Sequence, residues 1–341
     1  MPTPTSAALS DLVAPILGAQ NIVAFCHVNP DGDAIGSLLG LGYVLDALPS
    51  ASGDGPARAR RVTLACQDPA PEILRFIPGI DRIVNALPAG FQPDLVMSLD
   101  ASDPARLGKI FAGLAFSPTP LIVIDHHITN LHFGNINYVA PEVASTSQLI
   151  VALADALGVP LPPAAALPLL VGVVTDTLGF RTSNVTAAEM ACAVRLMEAG
   201  ANLADVAQRT LATRPLKFMR LWGMAFTNAH LDGYVLWAEV TRAMREAAGI
   251  ADDDDGGLVS QLINTAEARV AVVFNELADG KIEVDFRSRP GYDVAAVALS
   301  LGGGGHPQAA GCNLPGPMAE AEARVLPLVQ AASIAASIAK K

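Results

Sequence analysis

The sequence predicts an α/β protein with a parallel, doubly wound sheet, a helical connector and a second, smaller α/β domain. Short apolar, β-branched runs alternate with longer helical patterns through the first 180 residues, which is typical of strand–helix units around a parallel sheet. A long helical stretch follows, and three more strand patterns come after it. A length of 341 residues also favours two domains over one.

The predicted strands of the first domain are continuous apolar runs, as expected for strands buried on both faces. Helical spacing separates them in GSLLGLGYVLDALP and PEILRFIPG. STSQLIVALADALG (145–158) predicts another helix, because Ser145 and Gln148 have the spacing of a capping box. The four strands are 22–28, 61–67, 94–100 and 121–127.

The helical pattern over 186–229 ends the first domain and predicts a connector. The strand patterns YVLWAEV, ARVAVVFNEL and KIEVDFRS then predict a second sheet within 234–288. We therefore expect a catalytic domain over 1–190, a helical connector over 191–225 and a substrate-binding domain over 226–341.

Composition and charge limit the classes of function. The net charge of −11 argues against binding of long DNA or RNA, which requires the neutralisation of many phosphates, but it permits a nucleotide in one local pocket. The four cysteines lie far apart with no C-x-x-C pair, which fits a reducing cytoplasm. No basic region begins the chain, and the most apolar segment, 166–174, is shorter than the roughly 18–20 residues of a membrane span. We expect a cytoplasmic protein with no membrane segment.

Acidic residues and histidines follow four of the predicted elements, at the point where each element ends. Ligands of an open parallel sheet bind at the carboxyl ends of its strands, so we expect these four clusters to converge on one crevice. A lone Asp or His at such a position is usually a turn residue, a cap or a surface group, and Asp103 is predicted to cap a helix. The joint occurrence of four clusters favours a functional site. Their members are His27, Asp31, Asp33, Asp100, Asp125, His126, His127 and Asp176.

Imidazole and carboxylate donors without thiolate favour a hard to borderline metal ion. Mn²⁺ is the first expectation, and Mg²⁺, Fe²⁺, Co²⁺ and Zn²⁺ are alternatives. The donors exceed what one catalytic ion needs, whereas two ions about 3.5–4 Å apart, with one bridging carboxylate, would use them all.

A second polar feature, LGGGGHPQAAG (301–311), lies in the second domain. Glycines allow backbone N–H groups to approach a ligand, and successive N–H groups can bind an anion. His306 would then donate a hydrogen bond to phosphate or provide a stacking surface. Arg287 could bind a phosphate with two hydrogen bonds from its guanidinium group. The alternatives are a flexible glycine loop and a surface charge, and for Arg289 we prefer a surface charge.

The motifs HVNPDGDAIGS, SLDASD, DHH, TDTLGFRTSN and GGGGHPQAAG resemble, in this order, those of the DHH phosphoesterase superfamily, and the last is typical of its DHHA1 domain. The resemblance covers about residues 20 to 330. It is strongest to the short bacterial group that degrades oligoribonucleotides to mononucleotides and dephosphorylates 3′-phosphoadenosine 5′-phosphate (PAP). Gln148 stands where that group usually has Glu, and we expect this to alter a contact at the start of a helix only.

The resemblance implies two metal ions that share Asp100, with His127 facing the scissile phosphate and Asp125 orienting His126. His127 and Asp33 are the predicted catalytic residues. The ligands implied for one ion are His27, Asp31 and Asp100. Those implied for the other ion are Asp33, Asp100, His126 and Asp176. The residues implied in substrate binding are Arg287, Ser288, Gly303, Gly304, Gly305 and His306.

The implied activity is hydrolysis of short oligoribonucleotides, about two to five nucleotides long, or of PAP to AMP, by a hydroxide that two divalent ions activate. The expected partners are these small nucleotides, with a homodimer left open. Three alternatives stay open: a phosphodiesterase for cyclic or linear dinucleotides (c-di-AMP, pApA or pGpG), a family II inorganic pyrophosphatase, and a nucleotide sensor without catalysis. The GGGGHPQAAG motif and the scarcity of lysine argue against the pyrophosphatase. A RecJ-type exonuclease is disfavoured because such chains are longer.

Overall fold

The fold was analysed in a computed structural model of the chain. The structure describes residues 6–49, 60–114, 118–182, 184–251 and 254–339, and only the backbone of residues 306 and 333–339. The chain divides into two compact units, Met1–Thr213 and Arg214–Lys341. This division falls inside the predicted connector.

The first unit contains a sheet of six parallel strands in the order β3-β2-β1-β4-β5-β6. The prediction of a parallel α/β sheet is confirmed. The strands are β1 (Asn21–Phe25), β2 (Arg61–Ala65), β3 (Ile83–Val84), β4 (Leu95–Leu99), β5 (Leu121–Asp125) and β6 (Ile136–Val139).

The register of the sheet aligns the ends of its central strands. Phe25 pairs with Ser98 of β4, and Leu99 pairs with Ile124 of β5. The residues that follow β1, β4 and β5 therefore leave the sheet at the same edge. This alignment brings three of the four predicted polar clusters together.

Helices cover the sheet of the first unit. One face packs against α2 and α4, with α5 packed on these two helices, and the core contains Ile35, Leu149 and Leu169, all at most 1% exposed. On the other face, Phe25 packs edge-on against Phe111, with ring centroids 5.6 Å apart. The helices of this unit are α1 (Val13–Gly18), α2 (Gly32–Asp46), α3 (Lys109–Ala112), α4 (Thr146–Ala156), α5 (Pro163–Asp176), α6 (Ala187–Glu198) and α7 (Leu203–Ala207). Shorter turns are 3₁₀-helical at Leu9–Leu12, Glu72–Leu74, Ile80–Arg82 and Pro104–Leu107, and π-helical at Gln208–Ala212.

Two glycines of α2 allow it to pack closely against α5. A Cβ at Gly32 would overlap the side chain of Thr175, and a Cβ at Gly36 would overlap the carbonyl oxygen of Pro168. Glycine at these two positions therefore permits the close approach of α2 and α5.

The second unit contains a mixed sheet in the order β11-β12-β10-β9-β8-β7. Only β8 and β9 are parallel within the described part of this sheet. The strands are β7 (His230–Asp232), β8 (Val235–Val240), β9 (Val270–Glu276), β10 (Lys281–Ser288), β11 (Gly304–His306) and β12 (Ala309–Pro315). The helices are α8 (Leu216–Thr227), α9 (Arg242–Ala248), α10 (Leu258–Leu262), α11 (Ala295–Ser300) and α12 (Met318–Ala339).

Apolar cores lie on both faces of this second sheet. Phe274 and Phe286 pack with Val325 of α12 on one face, and Leu221 and Val273 belong to a core with α8, α9 and α10 on the other. The three strands predicted within 234–288 are confirmed as β8, β9 and β10. Across the described ranges, none of the helices combines the length and the apolar character needed to cross a membrane.

Candidate metal centre

The ring of His27, just after β1, is held by the main chain. His27 is 4% exposed, and its Nδ1 lies 2.8 Å from the carbonyl oxygen of Val28. A ring that donates from Nδ1 presents Nε2 as the atom available to a metal. Nε2 lies 3.8 Å from Oδ1 of Asp31 and 3.6 Å from Oδ2 of Asp100. These three side chains form a group that could hold a metal ion.

Asp31 is also the residue that begins α2. Its Oδ1 accepts hydrogen bonds from the N–H groups of Asp33 and Ala34, each at 3.0 Å. Asp is a favourable N-cap because its short side chain reaches these unpaired N–H groups. The same bonds fix the carboxylate beside His27.

Asp100 lies between two histidines. Its backbone is left-handed, with φ of 56°, a conformation that Asp adopts more readily than most side chains. In this conformation Oδ2 lies 3.6 Å from Nε2 of His27, and Oδ1 lies 3.5 Å from Nε2 of His126. A carboxylate that faces two imidazoles with different oxygens is suited to bridge two cations.

A second group of ligand atoms comes from three further elements. Asp33 lies in the first turn of α2, His126 follows β5, and Asp176 is the last residue of α5. Nε2 of His126 lies 3.3 Å from Oδ2 of Asp176, and ligand atoms of the three residues all lie within 4.8 Å of one another. The structure thus brings together all six predicted metal ligands in two groups.

The amino terminus of α4 binds Asp33, a contact that was not predicted. Oδ2 of Asp33 accepts from the N–H of Thr146 at 2.6 Å, and Oδ1 accepts from the N–H of Ser147 at 2.9 Å. The Thr146 hydroxyl donates to Oδ1 of Asp100 at 3.0 Å. The Ser-Thr-Ser run at the start of a predicted helix is the available signal, but a capping pattern indicates only where the helix begins.

Asp125 holds the ring of His127 and not that of His126. Its Oδ1 lies 2.7 Å from Nδ1 of His127, and its Oδ2 accepts from Asn130 at 2.6 Å. Nδ1 of His126 instead lies 3.3 Å from the carbonyl oxygen of Val143, and the backbone N–H of His126 donates to Oδ1 of Asp125. The expectation that Asp125 orients His126 is therefore wrong. Because β5 ends at Asp125, the side chain of Asp125 contacts both the backbone N–H and the ring of His127.

Crowding of carboxylates gives the site a strong preference for positive charge. Burial raises the pKa of Asp33 well above its ordinary value, and the charges of Asp100 and Asp176 add to this effect. Burial likewise raises the pKa of Asp176 to about 7, against the opposing charge of His126. Carboxylates so placed favour bound cations or protons.

The histidines show the same preference. Burial lowers the pKa of His27, but Asp31 and Asp100 outweigh it and raise the pKa to about 9. Burial also lowers the pKa of His126, but Asp100 and Asp176 outweigh this effect and raise the pKa to about 10. A divalent ion would replace these protons, because metal binding requires neutral imidazole and ionised carboxylate.

The donor set fits a pair of divalent ions. The imidazole–carboxylate separations of 3.3 to 3.8 Å are longer than ordinary N–H···O bonds. Two ligand atoms about 2.1 Å from one ion, at a right angle, would be about 3 Å apart. The ligand atoms of each group lie within 4.8 Å of one another. Nitrogen and carboxylate oxygen are the donors of a hard to borderline ion.

Comparison with known proteins shows the family of the chain. The DHH family, N-terminal domain, matches residues 21–173, and the DHHA1 domain matches residues 234–332. The bifunctional oligoribonuclease and PAP phosphatase NrnA of Thermus thermophilus is 36% identical over 328 residues, which cover 94% of this chain and 93% of that protein. The chain belongs to the DHH phosphoesterase family.

Two further similarities extend along the whole DHH–DHHA1 chain. The bifunctional oligoribonuclease and PAP phosphatase NrnA of Bacillus subtilis is 27% identical, over 89% of this chain and 93% of that protein. The crystal structure of an exopolyphosphatase-related protein from Bacteroides fragilis has a TM-score of 0.86 at 24% identity, covering 98% of this chain and 97% of that chain. The structural similarity supports the fold. As a DHH phosphoesterase, the protein is a metal-dependent hydrolase.

The DHHA1 unit carries the residues predicted to bind substrate. Arg287 is half-buried on β10, and its Nη1 donates to the carbonyl oxygen of Phe286 at 3.0 Å. Ser288 is 8% exposed, and its hydroxyl donates to the carbonyl oxygen of Tyr292 at 2.6 Å. The serine hydroxyl thus closes the turn that follows β10.

The glycine run of the DHHA1 unit forms a hairpin. Gly304 pairs with Gly311, and Gly305 pairs with Ala310, within the β11–β12 ladder. A Cβ at Gly303 would overlap the main chain of β12, and Gly305 has φ of 140°. Close packing of two strands therefore accounts for these two glycines, and their contact with substrate stays a prediction. The side chain of His306 lies outside the described residues.

Proposed function

We propose that this DHH phosphoesterase hydrolyses short oligoribonucleotides to mononucleotides and PAP to AMP. The observation that carries the proposal is the position of Asp100, whose two oxygens face His27 and His126. This arrangement supports a dinuclear centre, which suits in-line attack on a phosphoester. The names of the relatives from Thermus and Bacillus support the choice of substrates.

The two ions would take two of the three groups of ligand atoms that lie close together in the described residues. The first group is His27, Asp31 and Asp100, and the second is Asp33, His126 and Asp176, with Asp100 as the shared ligand. Mn²⁺ is the proposed ion, because imidazole and carboxylate provide all ligands and no thiolate takes part. When bound, such ions supply a water of lowered pKa and offset the charge on phosphate oxygens.

His127 would contact the substrate rather than a metal. Asp125 accepts the proton of Nδ1, which leaves Nε2 as the atom presented to a ligand. Burial lowers the pKa of His127, but the hydrogen bond to Asp125 and the charge of Asp100 outweigh burial and raise the pKa above its ordinary value. A protonated Nε2 would donate to a non-bridging phosphate oxygen and stabilise the developing charge.

The DHHA1 unit would hold a part of the substrate remote from the reacting phosphate. Arg287 is the strongest candidate, because a guanidinium binds phosphate with two parallel hydrogen bonds. Such a contact, together with the acidic chain, would favour substrates of about two to five nucleotides over long strands. A cytoplasmic location is also proposed, on the basis of four free, buried cysteines.

A single comparison of substrates tests this function. Purified protein with Mn²⁺ would be given PAP, pGpG, a pentaribonucleotide, cyclic di-AMP and pyrophosphate in parallel. We expect turnover of PAP and the short ribonucleotides, and a slower rate on a long single strand than on a dinucleotide. Turnover of pyrophosphate alone would overturn the proposal, and turnover of cyclic di-AMP alone would favour a cyclic dinucleotide phosphodiesterase.

A further inference from the structure

Thr146, the first residue of α4, contacts two carboxylates of the metal centre at once. Its N–H donates to Oδ2 of Asp33 at 2.6 Å, and its hydroxyl donates to Oδ1 of Asp100 at 3.0 Å. Thr146 is fully buried, with 0% exposure. Water therefore does not compete for these bonds, and the two carboxylates are tied to the same residue.

The helix itself explains why Asp33 is held there. The first N–H groups of an α-helix have no partner within the helix, and they carry partial positive charge. Asp33 accepts two of them, from Thr146 and Ser147, while Ser145 accepts the N–H of Gln148. The amino terminus of this 11-residue helix is thus closed by a metal-centre carboxylate.

The hydroxyl of Thr146 is not needed to close the helix. Its partner, Asp100, lies on the loop after β4 and contributes nothing to the amino terminus of α4. Each carboxylate oxygen has two lone pairs, so a hydrogen bond at Oδ1 of Asp100 leaves the second lone pair for another partner. The direction of that second lone pair is fixed by the first bond.

We propose that Thr146 is a positioning residue that sets the orientation of Asp100 relative to Asp33, so that Asp100 is shared by two ions. This inference rests on the proposed dinuclear centre. Hydrogen bonds to metal-ligating carboxylates fix their geometry, and the loss of such a bond typically weakens metal binding or activity about 10–100-fold.

Three variants of the full chain separate this role from helix capping. T146V keeps the shape and the N–H group but removes the hydroxyl, whereas T146S keeps the hydroxyl and removes one methyl group. S145A is the control for helix capping, because the Ser145 hydroxyl accepts the N–H of Gln148 and the variant keeps every group that contacts Asp33 and Asp100. Mn²⁺ binding would be measured by titration calorimetry, and the melting temperature of the chelator-treated protein would be measured alongside.

We expect T146V to bind at least one Mn²⁺ about 10–100-fold more weakly than the wild type, with T146S and S145A close to the wild type in Mn²⁺ affinity. If T146V does not fold, T146A provides the same loss of the hydroxyl with a smaller side chain. Unchanged Mn²⁺ affinity and stoichiometry in a folded T146V or T146A protein would overturn the inference. The same inference is overturned if T146S is as impaired as T146V, or if the wild type binds no Mn²⁺. A wild type that binds Mn²⁺ but hydrolyses none of the nucleotides would overturn the proposed function alone.

Discussion

Oδ1 of Asp125 lies 2.7 Å from Nδ1 of His127, so the aspartate that begins the DHH sequence holds the ring of its last histidine. Asn130 supports the same carboxylate from the other side, with its amide 2.6 Å from Oδ2. The neighbouring His126 has a different environment, because its Nε2 faces Asp100 and Asp176. Two adjacent histidines therefore have separate chemical roles in the proposed mechanism.

His127→Asn is expected to lower turnover without loss of metal. A positioned acid or charge-stabilising group contributes about 10²–10⁴-fold to a rate, and we expect a fall in kcat of that order. Mn²⁺ affinity should stay close to that of the wild type, because Nε2 of His127 is not assigned to a metal. Steady-state kinetics on PAP and titration calorimetry with Mn²⁺ check the two expectations.

The matched comparison for this variant is His126→Asn in the same protein. It should weaken Mn²⁺ binding by at least about tenfold, because it removes a ligand rather than an outer partner. Equal loss of Mn²⁺ affinity in both variants would show that His127 is itself a ligand. Nucleotide affinity that survives in His126→Asn, with no turnover in the wild type, would favour the sensor alternative.

Arg287→Ala is expected to raise KM for PAP while kcat changes little. A charge-assisted bond to phosphate is worth roughly 1.5–3 kcal/mol, which corresponds to an increase in KM of about 10–100-fold. Lys281→Ala is the control, because Lys281 carries the same charge on the same strand, and its ammonium pairs with Asp279 at 2.5 Å. A similar rise in KM for both variants would assign the effect to general electrostatics.

Gly36→Ala is expected to destabilise the first unit. A Cβ at position 36 would overlap the carbonyl oxygen of Pro168 and approach the backbone of Gly172, neither of which can rotate away. Overpacking of this kind costs about 1–3 kcal/mol in the free energy of unfolding. Urea unfolding of the wild type and the variant measures this difference.

The contrasting glycine variant is Gly223→Ala in α8. Among the described residues, no atom outside the adjacent backbone of α8 lies within 4 Å of a Cβ built at Gly223, and alanine favours a helix over glycine by up to about 1 kcal/mol. This variant should be slightly more stable than the wild type. Destabilisation by both substitutions would contradict the close-packing explanation for Gly36.

The pH dependence of stability should change with Asp285→Asn. Burial raises the pKa of Asp285 to about 7, and the charges of Glu283 and Asp255 add to this effect. Because the pKa of Asp285 in the folded state lies above its ordinary value of 3.8, the folded state binds this proton more tightly than the unfolded state does. The resulting contribution to stability is fully present below pH 3.8 and is lost as the pH rises to about 7. The wild type should therefore lose stability across this range relative to Asp285→Asn.

Asparagine keeps an oxygen that can accept from Asn275, which donates to Oδ2 of Asp285 at 3.1 Å. After allowance for partial exposure, we expect Asp285→Asn to be more stable than the wild type by about 1–2 kcal/mol near pH 8, and the two to be alike near pH 4. Unfolding curves at both pH values check the expectation. A difference that does not vary with pH would refute it.

The sheet and the convergence of the polar clusters could be predicted because both depend on periodicity. Continuous apolar runs predict buried parallel strands, and the ends of such strands meet at one edge, which placed His27, Asp100 and His126 together. The bond from Thr146 to Asp100 could not be predicted, because a capping pattern shows where a helix begins and not which distant carboxylate binds there.

The same limit applies to Asp125 and to the glycine hairpin. The partner of Asp125 depends on how the chain turns after β5, which residue types alone do not determine. β11 and β12 are rich in glycine and alanine, so their sequence lacks the alternation that marks a strand. Their pairing becomes apparent only from the ladder itself.

The left-handed backbone of Asp100 also limits which residues can replace it. With φ of 56°, this position accepts Asn almost as readily as Asp, whereas Glu or a β-branched residue would be strained whatever its charge. Asp100→Asn would also keep an oxygen for the hydroxyl of Thr146. The backbone conformation at Asp100 therefore restricts which residues fold at this position, independently of their effect on catalysis. Asn is accordingly the substitution that removes the charge of Asp100 while it keeps the local backbone conformation.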